Sequence, residues 1–245
     1  MLQDSSSASS VHKLCDEVLQ RITSIFSVEF GALNVDGENI EVLSIKNMRD
    51  HLDSLIKAKK IHDPLRDLPL WAKIWPASFI LGRFMRKFSP EAKSLLEIGS
   101  GMGVCGLIAS RYGFSQVTLS DSEEMALNFA RANIYRNNLQ DKVKACHLDL
   151  LRQENAKLAS SYDFIAASEL LYLDNLHRPL LKLLERRLAP DGKAFFCTDI
   201  ARLKPHFKKL AAKSFKVQEG HIGMKSEDEN GEQRKIYNIL ILEKA

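Results

Sequence analysis

Leu95-Leu96-Glu97-Ile98-Gly99-Ser100-Gly101-Met102-Gly103-Val104-Cys105-Gly106 is the stretch that decides the fold of this 245-residue chain. It reads as a buried strand over Ser94–Ile98, a glycine turn, and a helix over Val104–Tyr112. Glycines there permit φ > 0 and close approach of the backbone to a ligand. The first turn of the helix offers free N–H groups to an anionic group. Downstream, the same alternation continues. Strand-like runs at Gln116–Ser120, Val143–Leu148, Asp163–Ala167 and Lys193–Thr198 are separated by helical runs, among them Glu123–Asn137 and Leu176–Leu188. A further helix is expected over Lys204–Ala212. This pattern implies a parallel sheet with helices on both faces. The end breaks it. Phe215–Ile222 and Lys235–Glu243 are strand-like, and polar Lys225–Arg234, with Asn230-Gly231 inside, leaves no room for a helix, so they should pair antiparallel.

Upstream, the pattern is different. Residues 1–10 read as a disordered tail. Val11–Phe26 has helical apolar spacing, and Val28–Ser44 flanks Asp36-Gly37, a short hairpin signal. Asn47–Lys59 looks helical, and Ile61–Pro69 is a loop. Trp71–Phe88 reads as one amphipathic helix that Pro76 either starts afresh or kinks. The expected architecture is a doubly wound α/β sheet of Rossmann-like type over 70–245. A small α+β lead-in precedes it over 11–69.

Composition sets outer limits. Hydrophobic residues make up 45% and charged residues 27%, enough apolar material to build a core. No uncharged apolar run approaches the ~20 residues of a membrane span. The net charge of +4 permits, without requiring, an acidic partner. Cys15, Cys105, Cys146 and Cys197 form no C-x-x-C, as expected of reduced core cysteines in a cytoplasmic protein.

Gly101, Gly103 and Gly106 alone satisfy the dinucleotide fingerprint G-x-G-x-x-G. Asp121 lies where a ribose-binding acid belongs. Three features speak against a nicotinamide cofactor. The glycines begin at Gly99, directly after the strand. Glu97 stands within the strand, where a carboxylate could meet a ligand's ammonium group. The antiparallel end of the sheet is wrong for a dinucleotide domain, and no second catalytic domain follows.

E-x-G-x-G-x-G at Glu97–Gly103, an acid closing the next strand at Asp121 and a terminal antiparallel hairpin together resemble the seven-strand class I S-adenosylmethionine (SAM) methyltransferases. Two further segments resemble one branch of them, the family-16 methyltransferases, which include many protein-lysine methyltransferases. One is Leu68-Pro69-Leu70-Trp71-Ala72-Lys73-Ile74-Trp75-Pro76-Ala77, similar to L-P-Y-W-A-x-x-W-P-A but with Leu70 in the tyrosine's place. The other is Glu169-Leu170-Leu171-Tyr172, matching D/E-x-x-Y/F after the fourth strand.

The resemblance implies a SAM site built from Trp75, Glu97, Gly99, Ser100, Gly101, Gly103, Asp121, Ser122, Asp149, Leu150 and Ser168, with S-adenosylhomocysteine as product. It implies Glu169 and Tyr172 as the catalytic pair. Asp121 would take the ribose hydroxyls, and it serves equally as a helix cap. Trp71 and Trp75 are i, i+4 and could equally be core anchors. Glu169 competes with Asp174 as a cap for the next helix. Leu150 replaces the aromatic that often follows the acid at Asp149, so an apolar adenine slot is expected. Asn133 and Asn137 read as ordinary polar helix positions, and the basic run Arg202–Lys216 as a solvated face.

Other chemistries find little support. The seven histidines show no metal-ligand spacing, and there is neither a G-x-S-x-G elbow nor a P-loop lysine. The prolines of the D/N-P-P-Y/F motif of base methyltransferases are missing, so nucleic acid is not the expected substrate. The expectation is a monomeric, metal-free N-methyltransferase acting on a lysine of a protein substrate. A small amine as acceptor is the alternative on the same fold. A non-catalytic SAM-binding module and a NAD-linked enzyme are more remote.

Overall fold

A computed structural model describes residues 4–58, 61, 68–88, 93–152, 158–228 and 231–244, with backbone alone for 4–12 and 226–233. The lead-in comprises helix α1 (Asp4–Thr23), hairpin strands β1 (Val28–Val35) and β2 (Glu38–Ile45), and helix α2 (Met48–Lys57). The main body runs α3 (Pro76–Met85), β3 (Ser94–Ile98), α4 (Val104–Arg111), β4 (Gln116–Asp121), α5 (Glu124–Arg136), β5 (Val143–His147), β6 (Tyr162–Ser168) and α6 (His177–Arg187). It ends with β7 (Leu188–Asp199), α7 (Pro205–Ala211), β8 (Phe215–Asp228) and β9 (Gly231–Lys244).

Seven strands form one sheet in the order β5-β4-β3-β6-β7-β9-β8. β5 to β7 are parallel, and β9 is antiparallel to both β7 and β8. The strand order reverses at β3: β4 and β5 are added on one side of it, and the chain then crosses to add β6 and β7 on the other. Such a switch point opens a crevice at the carboxyl ends of the strands, where α/β sheets bind ligands. Gly99, Asp121, Ser168 and Asp199 all lie at that edge.

Several boundaries differ from the sequence reading, among them the start of β7, which is Leu188 and not Lys193. Helix α1 begins at Asp4, so the tail expected over 1–10 is helical from that point; an acid there suits the positive end of a helix. The helix expected over Trp71–Phe88 is broken: Leu70–Ala72 is a 3-10 turn, Trp75 is extended, and Pro76 opens α3 as its first residue. Proline's fixed φ and missing N–H suit that position. β8 and β9 run further than expected, to Asp228 and from Gly231. Glu229, Asn230 and the side chains of Glu227 and Asp228, expected at a solvated tip, lie outside the described residues.

The lead-in shares its core with the body. Val18, Ile22, Ile40 and Leu43 belong to one buried cluster with Leu107, Phe129 and Ile134. Asn133 and Asn137 are buried on α5 and fasten the hairpin to it. Asn137 Oδ1 accepts from Glu41 N (3.0 Å), and Asn133 Oδ1 accepts from Leu43 N (2.7 Å). Asn137 Nδ2 also donates to Glu41 O at 2.7 Å. One edge of β2 is thus satisfied by side chains instead of a third strand. No helix among the described residues is long and apolar enough to cross a membrane.

Candidate functional site: a glycine cradle and a strained acid on one edge

The glycine loop joins β3 to α4. Gly99, Gly101 and Gly103 all have positive φ, at 64°, 52° and 83°. At Gly101 the requirement is also steric, because a Cβ would lie 2.8 Å from Trp71 O. The 3-10 turn at Leu70–Ala72 therefore packs directly on the loop. Trp71 itself is a core anchor, its ring 5.1 Å from Phe129 and 6.0 Å from Phe26.

Three polar side chains hold the loop. Asp121 Oδ2 accepts from Gly101 N at 2.8 Å, and its Oδ1 accepts from Glu123 N at 3.0 Å. It therefore fastens the loop and the approach to α5 together, while the cap of α5 itself is Glu123 with no side-chain bond. Burial pushes the Asp121 carboxyl up, against the N–H groups of Glu123, Gly101 and Ser122. Glu97 lies beneath the loop, its Oε2 accepting from Gly106 N at 2.8 Å. Its Oε1 is buried without a partner, and burial pushes the carboxyl up to about 8. Asn133 Nδ2 donates to Met102 O at 2.9 Å, so the residue that grips β2 also grips the loop. Ser100 Oγ is buried and unpartnered.

Beyond Asp121, Ser122 is exposed and its carbonyl meets His147 Nε2 at 3.1 Å. Leu148 N donates to Asp121 O, which places the next loop beside the acid. There Asp149 Oδ1 accepts from Leu151 N and Arg152 N, an Asx turn. Leu148, Asp149 and Leu150 line a cavity of about 210 Å3 with Pro179, Leu183 and Lys182.

Glu169 follows β6 and is the other centre of the site. Its φ is +49°, a region that costs a non-glycine residue about 1–3 kcal/mol and clusters at functional sites. Its backbone N–H donates to Cys197 O at 2.9 Å. Its Oε1 accepts from Asp199 N at 3.0 Å and lies 3.5 Å from Arg202 Nη2. Its Oε2 is buried with no partner. Burial pushes the carboxyl up; the Asp199 N–H and Arg202 oppose this. Neither Glu169 nor Asp174 caps α6, whose N-cap is Leu176 with no side-chain bond. Tyr172 is half-buried, and burial followed by the Glu169 charge pushes its phenol up. Ser168 closes β6 opposite Cys197.

Trp75 stands between the two centres. Its Nε1 donates to Leu70 O at 2.9 Å. Arg202 Cζ and Lys73 Nζ each lie 4.7 Å from its ring centroid. Arg202 is therefore part of the site, and the solvated basic face expected over Arg202–Lys216 is corrected at its first residue. Sequence reading also passed over Lys73, Asp199 and Asn133. Asp199 ends β7 as Asp121 ends β4, and Asn133 interrupts the apolar face of α5; those were the available signals.

Comparison with known proteins identifies the family. Residues 60–212 match the family model described as lysine methyltransferase. The chain is 31% identical over 156 residues to Protein N-lysine methyltransferase METTL21A of Danio rerio, covering 61% of this chain and 71% of that protein. It is 31% identical over 121 residues to Calmodulin-lysine N-methyltransferase of Arabidopsis thaliana, 46% of this chain and 40% of that one. Among solved structures, a putative RNA methyltransferase from Pyrococcus horikoshii superimposes with a TM-score of 0.54 at 16% identity, over 80% of this chain and 99% of that chain. That likeness concerns the fold alone. The family match, the sheet order and the loop-and-acid geometry converge: the chain belongs to the lysine methyltransferase family of SAM-dependent enzymes.

Proposed function

We propose that this protein methylates the side-chain amine of a lysine in a protein substrate, with SAM as donor and S-adenosylhomocysteine as product. The observation that carries the reading is a juxtaposition. A glycine cradle with a doubly bonded aspartate stands beside a strained, buried glutamate that keeps one oxygen free. The lysine-directed relatives support protein as the acceptor.

The residues fit the cofactor. Each Asp121 oxygen takes one N–H and retains a lone pair, so the carboxylate can accept both ribose hydroxyls. Gly99, Ser100, Gly101 and Gly103 would hold the methionine part, with the unpartnered Ser100 Oγ as one contact. Leu150, with Asp149 beside it, would form the adenine slot, and Ser122 and Ser168 would add contacts from the ends of β4 and β6. Glu97 holds the loop from beneath, and Trp75 offers an aromatic face to a cation.

Bound SAM supplies an activated methyl group: the amine lone pair forms the N–C bond as the S–C bond breaks and its electrons stay on sulfur. The chain's own task is positioning, which supplies roughly 7–11 kcal/mol when reacting atoms are held near contact. Glu169 Oε2 can accept an amine N–H and so aim the lone pair. Tyr172 presents a ring or hydroxyl beside it.

The test is methyl transfer from tritiated SAM into a lysate of the source organism, counting precipitated protein and low-mass filtrate separately. Label in a discrete protein band, recovered as methyllysine and lost with Asp121→Ala, is expected. Label confined to the filtrate would replace the protein substrate with a small amine.

A further inference from the structure

We propose that Arg202 is a positioning residue for methyl transfer. It cancels the charge of Glu169, so that the carboxylate orients a substrate amine without holding it protonated. This rests on the functional reading above.

A lysine amine has a reference pKa near 10.4, so about one in 2,500 is neutral at pH 7, and only the neutral form has a lone pair to give. A bare carboxylate at the acceptor seat would worsen that ratio, because an opposite charge stabilises the ammonium. The structure shows how the conflict is resolved. Glu169 Oε1 is occupied, by Asp199 N at 3.0 Å and by the Arg202 guanidinium at 3.5 Å. Oε2 stays free and buried. Arg202 Nη2 also lies 3.6 Å from Asp199 Oδ2, and the guanidinium rests over the Trp75 ring. An arginine is suited to this place, since its planar cation bridges carboxylates and stacks on an aromatic face at once.

The charges around the seat balance. Two carboxylates, Glu169 and Asp199, face two cations, Arg202 and Lys73. The remaining titratable groups acting there are the phenols of Tyr172 and Tyr237 and the thiol of Cys197; Asp121 acts on Tyr172 from the cofactor side. With Arg202 present, an entering ammonium meets no net negative charge, gives its proton to water, and offers the neutral amine to Oε2. Without Arg202 the seat carries one uncompensated negative charge and retains the ammonium.

The test compares wild type, Arg202→Gln and Arg202→Lys. Label transfer at saturating SAM into the labelled protein band is followed from pH 6.5 to 10. With the acceptor also saturating, the rising limb of kcat, which reports the bound amine, should move up by about one pH unit in Arg202→Gln, as expected for loss of a nearby positive charge. It should stay near wild type in Arg202→Lys. A glutamine variant slowed equally at every pH would overturn the proposal, because that is the mark of a merely structural role. A second readout needs no turnover. n-Butylammonium chloride is titrated at constant ionic strength while the Trp75 indole N–H signal is followed by NMR, assigned against Trp71, the other tryptophan. Arg202→Gln should bind the probe several-fold more tightly than wild type; equal or weaker binding would overturn the charge-balance claim. A wild-type protein that labels nothing would instead overturn the functional reading and leave this binding comparison to decide the role of Arg202.

Discussion

The loop after β3 and the turn after β6 are neighbours on one sheet edge, yet they spend their polar groups differently. Around the glycine loop most polar side-chain atoms are engaged, with Glu97 Oε1 and Ser100 Oγ left unpartnered: Asp121 with two backbone N–H groups, Glu97 with one, Asn133 with Met102 O and Leu43 N. Around Glu169 the backbone sits in a costly conformation, one buried carboxylate oxygen has no partner, and the ion pairs to Arg202 are long, at 3.5 and 3.6 Å. The first region is preorganised to hold a ligand with its parts already in place. The second keeps hydrogen-bonding capacity in reserve for a group that arrives with the substrate. An unsatisfied buried oxygen costs about 1–3 kcal/mol. That cost and the strain at φ +49° fall on the same residue, as expected where function and not stability sets the geometry.

Variants that separate the two regions sharpen this contrast. The largest effect is expected for Glu169→Ala: turnover of labelled SAM into protein should fall by about 100-fold or more, the scale for loss of a positioned polar group at a reacting centre. SAM affinity by calorimetry should change little. Asp121→Ala should do the reverse, weakening SAM binding by about 10- to 100-fold, as expected when a carboxylate loses charge-assisted bonds to ligand and loop together. If both variants lowered SAM affinity alike, the division between the two regions would fail.

A smaller effect is expected at the bracket between lead-in and loop. Asn133→Ala leaves Leu43 N and Met102 O without their partner inside the core and should cost about 2–4 kcal/mol in denaturant unfolding. It should also raise the SAM dissociation constant, although Asn133 is placed behind the loop. An unchanged dissociation constant would confine Asn133 to the fold. A more gradual signal concerns pH. Glu97 keeps its proton to about pH 8 in the folded protein, well above the ordinary carboxylate value. Between that ordinary value and 8 the unfolded chain binds fewer protons than the native one, so stability falls as pH rises through this window. The slope is at most about 1.4 kcal/mol per pH unit. Glu97→Gln should flatten the pH dependence of unfolding free energy between pH 5 and 8, and an unaltered slope would assign the dependence to other groups.

Much of the fold was legible because it rests on local signals. The alternation of apolar strands with helical runs, the glycines after Ile98 and the missing helix between Phe215 and Glu243 led to a parallel sheet with an antiparallel end. Boundaries slipped where tertiary contacts decide. The Leu70–Ala72 turn is tight because it must pass close to Gly101, and nothing near Trp71 in sequence announces that. The candidate site was legible where a motif marked a position at the carboxyl edge of the sheet, as for Asp121 and Glu169. It was not legible where chemistry comes from pairs distant in sequence. Arg202 looks like the start of a basic helix until the sheet brings β6 and β7 together and places Asp199 N on Glu169. Asn133 and Asn137 look like surface positions until β2, some ninety residues earlier, presents its unpaired edge to them.

The most direct test is a crystal structure with S-adenosylhomocysteine. Both ribose hydroxyls are expected on the Asp121 carboxylate, the amino-acid end on the Gly99–Gly103 loop beside Ser100 Oγ, and the sulfur facing Glu169 with its Oε2 still free of protein partners. A ligand bound away from Asp121, or a Glu169 Oε2 sealed by another side chain once the ligand is in place, would contradict this arrangement.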